Sequence, residues 1–192
     1  MAAKLRKVEL LELNESLQKV LRWFFSFPDK EMSLTDLSQE LRISKTTAHI
    51  VVMQLVKERF LKTEELGRIW RISCQKNHIF NYSRKIAYNL SMIYESGIIE
   101  AIQKIIPNPR SIVLFGSYRK GDDTEKSDID IAVEVLDDEE PRIQSLGIIS
   151  EFGHRKDVEV NLHIFSRNNV DLNLFANIAN GIVLEGFLEV RP

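Results

Sequence analysis

Asp128 and Asp130 stand two residues apart in Ser127-Asp128-Ile129-Asp130. On a strand, side chains at that spacing share one side of the sheet. Two like charges held so close repel each other unless a cation lies between them. A hard divalent ion such as Mg²⁺ takes such oxygen ligands and keeps room for substrate phosphates. Upstream, the apolar run Ile112-Val113-Leu114-Phe115 ends abruptly in Gly116-Ser117. That turn offers backbone N–H groups and a hydroxyl to an anion. A phosphate-holding turn facing a metal-holding carboxylate pair is an arrangement for nucleotide phosphoryl chemistry.

Three strands must position these groups. Ser111 to Phe115 reads as a short buried strand that ends at the turn. Ten residues, Tyr118 to Ser127, separate the turn from the second strand, which starts at the aspartate pair. The third runs from Asp157 to Phe165, with Val158, Val160, Leu162 and Ile164 on one face and Asp157, Glu159, Asn161 and His163 on the other. That polar face is expected to look at the aspartates. Between the second and third strands, Asp137-Asp138-Glu139-Glu140-Pro141 reads as a solvated acidic loop entering a helix over Arg142–Phe152. A last helix begins at Asp171, with Leu172, Leu174 and Phe175 available to a core.

The Gly-Ser turn after an apolar run, ten residues, and then Asp128-Ile129-Asp130 together resemble the signature of the polymerase-beta-like nucleotidyltransferase superfamily. The similarity is to its minimal nucleotidyltransferases of archaea and bacteria, over roughly residues 98–186 and including the closing Ala179–Gly186. The resemblance implies a role for each matching residue. Gly116 lets the backbone approach the triphosphate and Ser117 hydrogen-bonds a phosphate oxygen. Arg119 and Lys120 in the following loop neutralise phosphate charge or are simply solvated. Ser127 orients the Asp128 turn. Asp128 and Asp130 hold a catalytic two-ion Mg²⁺ site, with Mn²⁺ as an alternative ion. A third carboxylate on the neighbouring strand completes the set, and Glu159 is assigned to it. Aspartate is usual there, and Asn161 is the competing occupant, which would weaken the second metal and slow catalysis.

At 192 residues the chain has room for two small domains. Its formal charge of −2 hides an asymmetry. Residues 1–109 carry 17 Lys+Arg against 12 Asp+Glu, a net +5, while residues 110–192 carry 9 against 16, a net −7. The acidic half suits a metal and nucleotide site, and the basic half is compatible with nucleic acid. One cysteine, Cys74, excludes an internal disulfide and a Cys-based zinc site. No signal-like N-terminus or long apolar run appears, so the expectation is a cytoplasmic protein without membrane contact.

The front half reads as helices and a hairpin. Leu5, Val8 and Leu11, then Leu17, Val20, Leu21 and Phe24, recur at helical spacing, with Asn14 a cap for a fresh helix. Ser33 opens a capping-box-like start with Asp36, and a short helix follows over Leu34–Leu41. Ser44 caps a third helix over Lys45–Arg59. Phe60–Thr63 and Arg68–Ile72 read as strands joined through Glu64-Glu65-Leu66-Gly67. This order resembles the winged helix-turn-helix domains of small prokaryotic regulators. The resemblance implies DNA contact by Ser44, Lys45, Thr46, Thr47 and His49 in the groove, with Lys62, Arg68 and Arg71 near phosphates. Glu64 and Glu65 place negative charge on that wing.

The expected fold is therefore α+β in two domains. A winged helix spans residues 1–75 and a helical connector spans 76–109, breaking at Ser96-Gly97. A nucleotidyltransferase α/β domain with a mixed sheet spans 110–192. Expected partners are an NTP, DNA, and a small helical toxin-like protein, with a homodimer suggested by the winged helix alone. Leu5–Leu13 serves either as a dimer contact or, more commonly for such a segment, as core packing.

Overall fold

The computed structural model describes residues 14–67, 69–136 and 140–190, so the expected helix over Leu5–Leu13, Arg68 and Asp137–Glu139 lie outside the described residues. The front half is helical. Asn14 accepts a hydrogen bond from the Ser16 amide and starts α1 (Glu15–Ser26). Ser33 and Asp36 bond to each other at the start of α2 (Leu34–Glu40), and Ser44 accepts from the Thr47 amide at the start of α3 (Lys45–Lys57). These side chains satisfy amide donors that a helix start leaves without a partner.

An antiparallel hairpin follows, β1 (Leu61–Leu66) with β2 (Ile69–Cys74). Glu64 and Glu65, expected in the turn, lie in β1 instead, and Gly67 follows the strand at φ +64°. Met32 pairs with Ile72 as an isolated bridge, tying the α1–α2 loop to the hairpin. Val20, Phe24, Leu37, Val52, Leu55, Phe60 and Ile72 are buried in one core between these elements. Cys74 lies at its edge, where burial pushes the thiol up to about 11.

Residues 76–83 are turns rather than helix, closed by Asn81, whose amide donates to the carbonyls of Gln75 and Lys76. Then come α4 (Arg84–Glu95) and α5 (Ile98–Ile105), with Gly97 between them at φ +74°.

The back half is a five-stranded mixed sheet in the order β5-β6-β4-β3-β7. Its strands are β3 (Ser111–Phe115), β4 (Ile129–Val135), β5 (Arg142–Phe152), β6 (Arg155–Ser166) and β7 (Ile182–Gly186). Among the described residues, β4 and β6 are the one pair of hydrogen-bonded neighbours in this sheet that run parallel. The short helix α6 (Gly116–Lys120) follows β3, and α7 (Leu172–Ala179), capped by Asp171, precedes β7. One face of the sheet buries Ile112, Leu114, Ile131 and Leu162 with Ile93, Ile98 and Ile102 of α4 and α5. The other buries Val113, Phe115, Ala132 and Phe165 with Ile178 of α7.

The helix expected over Arg142–Phe152 is strand β5. Ile143, Leu146 and Ile149 recur every third residue, which imitates a helix. Gly147 and the β-branched isoleucines disfavour one, and pairing along β6 decides the outcome. A bulge between Ser145 and Gly147 breaks the simple alternation that would have marked a strand.

The β5–β6 turn docks on the helices. A Cβ at Gly153 would collide with the Tyr88 hydroxyl of α4. The next residue, His154, is held below its ordinary value of 6.5, chiefly by burial and further by Arg22 of α1, with Glu40 of α2 opposing. The folded state thus binds this proton less tightly than the unfolded chain. His154 lets stability stand in full above the unfolded value and lose ground as pH falls through it. The melting temperature is expected to drop between about pH 7.5 and about pH 5.5, and to drop less in His154→Gln, as read by calorimetry across that range.

Candidate active site

The candidate site lies where β3 ends beside the start of β4. Phe115 pairs with Asp130 across the antiparallel β3–β4 ladder, so the turn after β3 is delivered to the carboxylate. Gly116 adopts φ +72°, in the left-handed region, and a Cβ there would sit 2.7 Å from Asp130 Oδ2. Any side chain at 116 meets strain and the carboxylate together. Gly116→Ala is expected to cost roughly 1–2 kcal/mol of stability from the backbone alone. It should also lower activity at least about tenfold by displacing Asp130, which melting and rate measurements on one preparation would check.

Asp130 is partly buried and Asp128, just before β4, is exposed. Ser127 is fixed by a two-way link with Thr124: the Thr124 amide donates to Ser127 Oγ (3.0 Å), and the Ser127 amide donates to the Thr124 carbonyl (3.1 Å). Ser117 lies in the first turn of α6, partly exposed, followed by buried Tyr118, partly exposed Arg119 and exposed Lys120.

The parallel register sets Asn161 level with Asp130. Glu159 lies two residues earlier on the same face, level with Asp128 by extension of the Ile129–Val160 pair. His163, two residues after Asn161, brings Nε2 to 3.3 Å from Asp130 Oδ1 and stacks edge-on against Phe115 (4.8 Å, 83°). Its Nδ1 is buried with no hydrogen-bond partner. The polar face of β6 therefore does turn toward the aspartates.

No group of three or more His, Cys, Asp or Glu side chains forms a metal cluster among the described residues. Asp128 and Asp130 stand two residues apart at the start of β4, with Asn161 level with Asp130, and their side-chain oxygens are hard ligands. The Gly116 backbone closes over one side of Asp130. That donor set fits a hard divalent cation, with an amide rather than a carboxylate level with Asp130.

The loop between α6 and β4 is fastened by buried polar side chains that sequence reasoning missed. On one side, Lys85 of α4 reaches Asp123 Oδ2 (3.2 Å) and the Asp123 carbonyl, both residues being buried. Asn89, one turn on, donates to Asp123 Oδ1 (2.8 Å) and to the Tyr118 carbonyl (3.1 Å). Burial lowers Lys85 and raises Asp123, and each charge partly restores the other. On the other side, Arg155 donates to the carbonyls of Glu125 and Ser127 and to the Tyr118 hydroxyl. Charged residues at helical or turn positions read as solvated, so only the three-dimensional fold exposes these partners.

In the front half, the Ser44 and Thr47 hydroxyls bond to each other at 2.8 Å. Lys45, Thr46 and His49 are exposed on α3, and His49 lies against Trp70 of the hairpin (5.0 Å). Lys62 is exposed, while Arg71 is paired with Glu31 and Glu64.

Residues 97–185, under half of the chain, match the family model described as Polymerase beta, Nucleotidyltransferase. That segment runs from the start of α5 into β7 and contains the whole β3–α6–β4 unit, so the back half is similar to a nucleotidyltransferase domain and its mixed sheet fits one. Among curated proteins, none matches. No helix among the described residues is long and apolar enough to cross a membrane.

Proposed function

We propose that the protein transfers a nucleoside monophosphate from an NTP, ATP in the first instance, to an acceptor hydroxyl. The observation that carries this reading is the closure of the Gly116 turn on Asp130, inside the segment that matches the nucleotidyltransferase family. The acceptor hydroxyl loses its proton to solvent as its oxygen bonds to the α-phosphorus, the bond from that phosphorus to the bridging oxygen breaks, and pyrophosphate departs with the electron pair. Such chemistry needs positioning and charge neutralisation more than reactive side chains. Gly116 and Ser117 hold triphosphate oxygens, with Arg119 and Lys120 adding positive charge beside them. Asp128 and Asp130, helped by Glu159, hold Mg²⁺ or Mn²⁺, which when bound neutralises phosphate charge and acidifies the acceptor hydroxyl. Glu159 is preferred as the third carboxylate because Asn161 occupies the level of Asp130 and Glu159 is the next residue along this face of β6 toward Asp128. Ser127 keeps the approach to Asp128 in place.

The front half reads as a winged helix over residues 1–75, with the connector over 76–109 and the catalytic domain over 110–192. Its DNA surface is Lys45, Thr46 and His49 with Lys62, and Arg68 at the wing. Ser44 and Thr47 shape the helix start, and Arg71 is largely occupied by its glutamates. A cytoplasmic homodimer that binds its own promoter and modifies a small toxin-like partner unites these features. A second reading, a DNA-binding regulator that holds nucleotide without turnover, is favoured by one observation: the amide of Asn161 stands level with Asp130.

Binding is tested first. MgATP at a hundredfold excess over its dissociation constant should stabilise the protein by about 2.7 kcal/mol, seen as a raised melting temperature. No shift with any NTP and either metal would sink both readings of the site. For DNA, a mobility shift on the upstream region should weaken in Lys45→Glu.

A further inference from the structure

We propose that Arg155 is a positioning residue that locks the phosphate-holding turn and the carboxylate pair into one unit, an inference that rests on the nucleotidyl-transfer reading above. Arg155 opens β6, directly after the Gly153-His154 turn, and is buried. One end of its guanidinium donates to the hydroxyl of Tyr118, the residue immediately after Ser117. The other donates to the carbonyl of Ser127 (2.6 Å), the residue immediately before Asp128, and to that of Glu125 (3.1 Å). The guanidinium carbon also lies 5.6 Å from the Tyr118 ring centre. One planar fork thus sets the separation between the two halves of the site, which are ten residues apart in sequence.

The chemistry of the contact argues for precision rather than simple adhesion. Burying a charge costs free energy, which a carboxylate partner would offset most directly. Here the hydrogen-bonded partners are two backbone carbonyls and a phenol, all neutral oxygens whose positions a rigid fork fixes in a plane. Lysine carries the same charge but cannot hold three oxygens at these angles. Tyr118 is tied from its far side as well, because Asn89 donates to its carbonyl. The loop that delivers Asp128 is therefore fixed at the carbonyl next to the carboxylate.

The test compares wild type, Arg155→Lys, Tyr118→Phe and a control, Arg167→Met. Arg167 bridges buried Glu134 and partly exposed Glu189 at the other end of β6, so its loss perturbs stability away from the site. Melting temperature, Mn²⁺ affinity by electron paramagnetic resonance, and kcat and KM for pyrophosphate release from ATP are measured on each. Arg155→Lys should fold, bind Mn²⁺ about tenfold more weakly, and lose roughly a hundredfold in kcat with a smaller rise in KM. Tyr118→Phe should move the same way by less, and Arg167→Met should lower the melting temperature with kcat unchanged. Should Arg155→Lys fail to fold, Tyr118→Phe decides: a fall in kcat beyond that of Arg167→Met supports the proposal, and wild-type kinetics overturn it. A folded Arg155→Lys with wild-type Mn²⁺ affinity and kcat overturns this proposal alone. A wild-type protein that binds neither Mn²⁺ nor ATP overturns the nucleotidyl-transfer reading, and this proposal with it.

Discussion

Asp130→Asn is expected to fold as the wild type does and to lose nucleotidyl transfer by about three orders of magnitude, in line with removing a preorganised charge-stabilising group. The substitution keeps size and shape. The amide oxygen can still accept from His163, which stands 3.3 Å from Asp130 Oδ1. What disappears is a negative charge at the point where the Gly116 backbone closes and where Asn161 already contributes only an amide. Two adjacent amides would leave Asp128, and Glu159 as proposed above, to supply the remaining negative charge. Because Asp128 and Asp130 repel each other when no cation is bound, the metal-free variant should melt no lower than wild type. Pyrophosphate release from labelled ATP, with circular dichroism on the same samples, checks both halves. Equal rates in wild type and variant would remove Asp130 from the mechanism. The reverse change, Asn161→Asp, should raise the rate, since it restores a carboxylate level with Asp130.

Lys85→Met carries the largest expected effect on stability. Breaking a buried ion pair from one side leaves the other charge without compensation, at a cost of about 3–5 kcal/mol. Here the survivor would be Asp123, with only 3% of its side chain exposed. The Asn89 hydrogen bond to Asp123 remains, so the lower end of that range is the better expectation. For a chain of this size, the lower end corresponds to a melting temperature lower by roughly 6–12 °C. Asp123→Leu alone should cost a similar amount, because it leaves the ammonium buried. The double variant, Lys85→Met with Asp123→Leu, should recover much of the loss, since a paired apolar replacement removes both desolvation penalties. Strict additivity in this cycle would show that the two side chains act independently.

The reach of sequence reasoning follows from the range of the forces involved. Asn14, Ser33 and Ser44 were legible as helix caps because a cap is a contact over two or three residues. β3 and the start of β4 were legible because an apolar run, a glycine and a spaced aspartate pair are all local marks, whereas Gly116–Lys120, expected as a turn and loop carrying Arg119 and Lys120, is the short helix α6. β5 was not, since its three-residue apolar rhythm fits a helix and only its partner β6 makes it a strand. Asn161 and Glu159 could be placed on the correct face by alternation, but which of them stands level with Asp130 depends on strand register, which no local pattern encodes. Lys85, Asn89 and Arg155 were invisible for a related reason: their partners lie about thirty residues away or more.

Helix α4 presents one face to each half of the molecule. Tyr88 lies 6.2 Å from Phe25 of the front core, and Arg22 stacks over its ring at 5.7 Å. Leu90, Met92 and Ile93 belong to the back core, and Lys85 and Asn89 hold the loop that leads to Asp128. The helix is thus common property, and this restricts how such a chain can be recombined. A front half grafted from another protein and joined at residue 75 would meet a Tyr88 face shaped for Phe25 and Arg22. Unless it supplied matching residues, the mismatch would reach α4, one helical turn from the lysine that anchors the loop. The two halves are therefore heritable as a matched pair more readily than as separate cassettes.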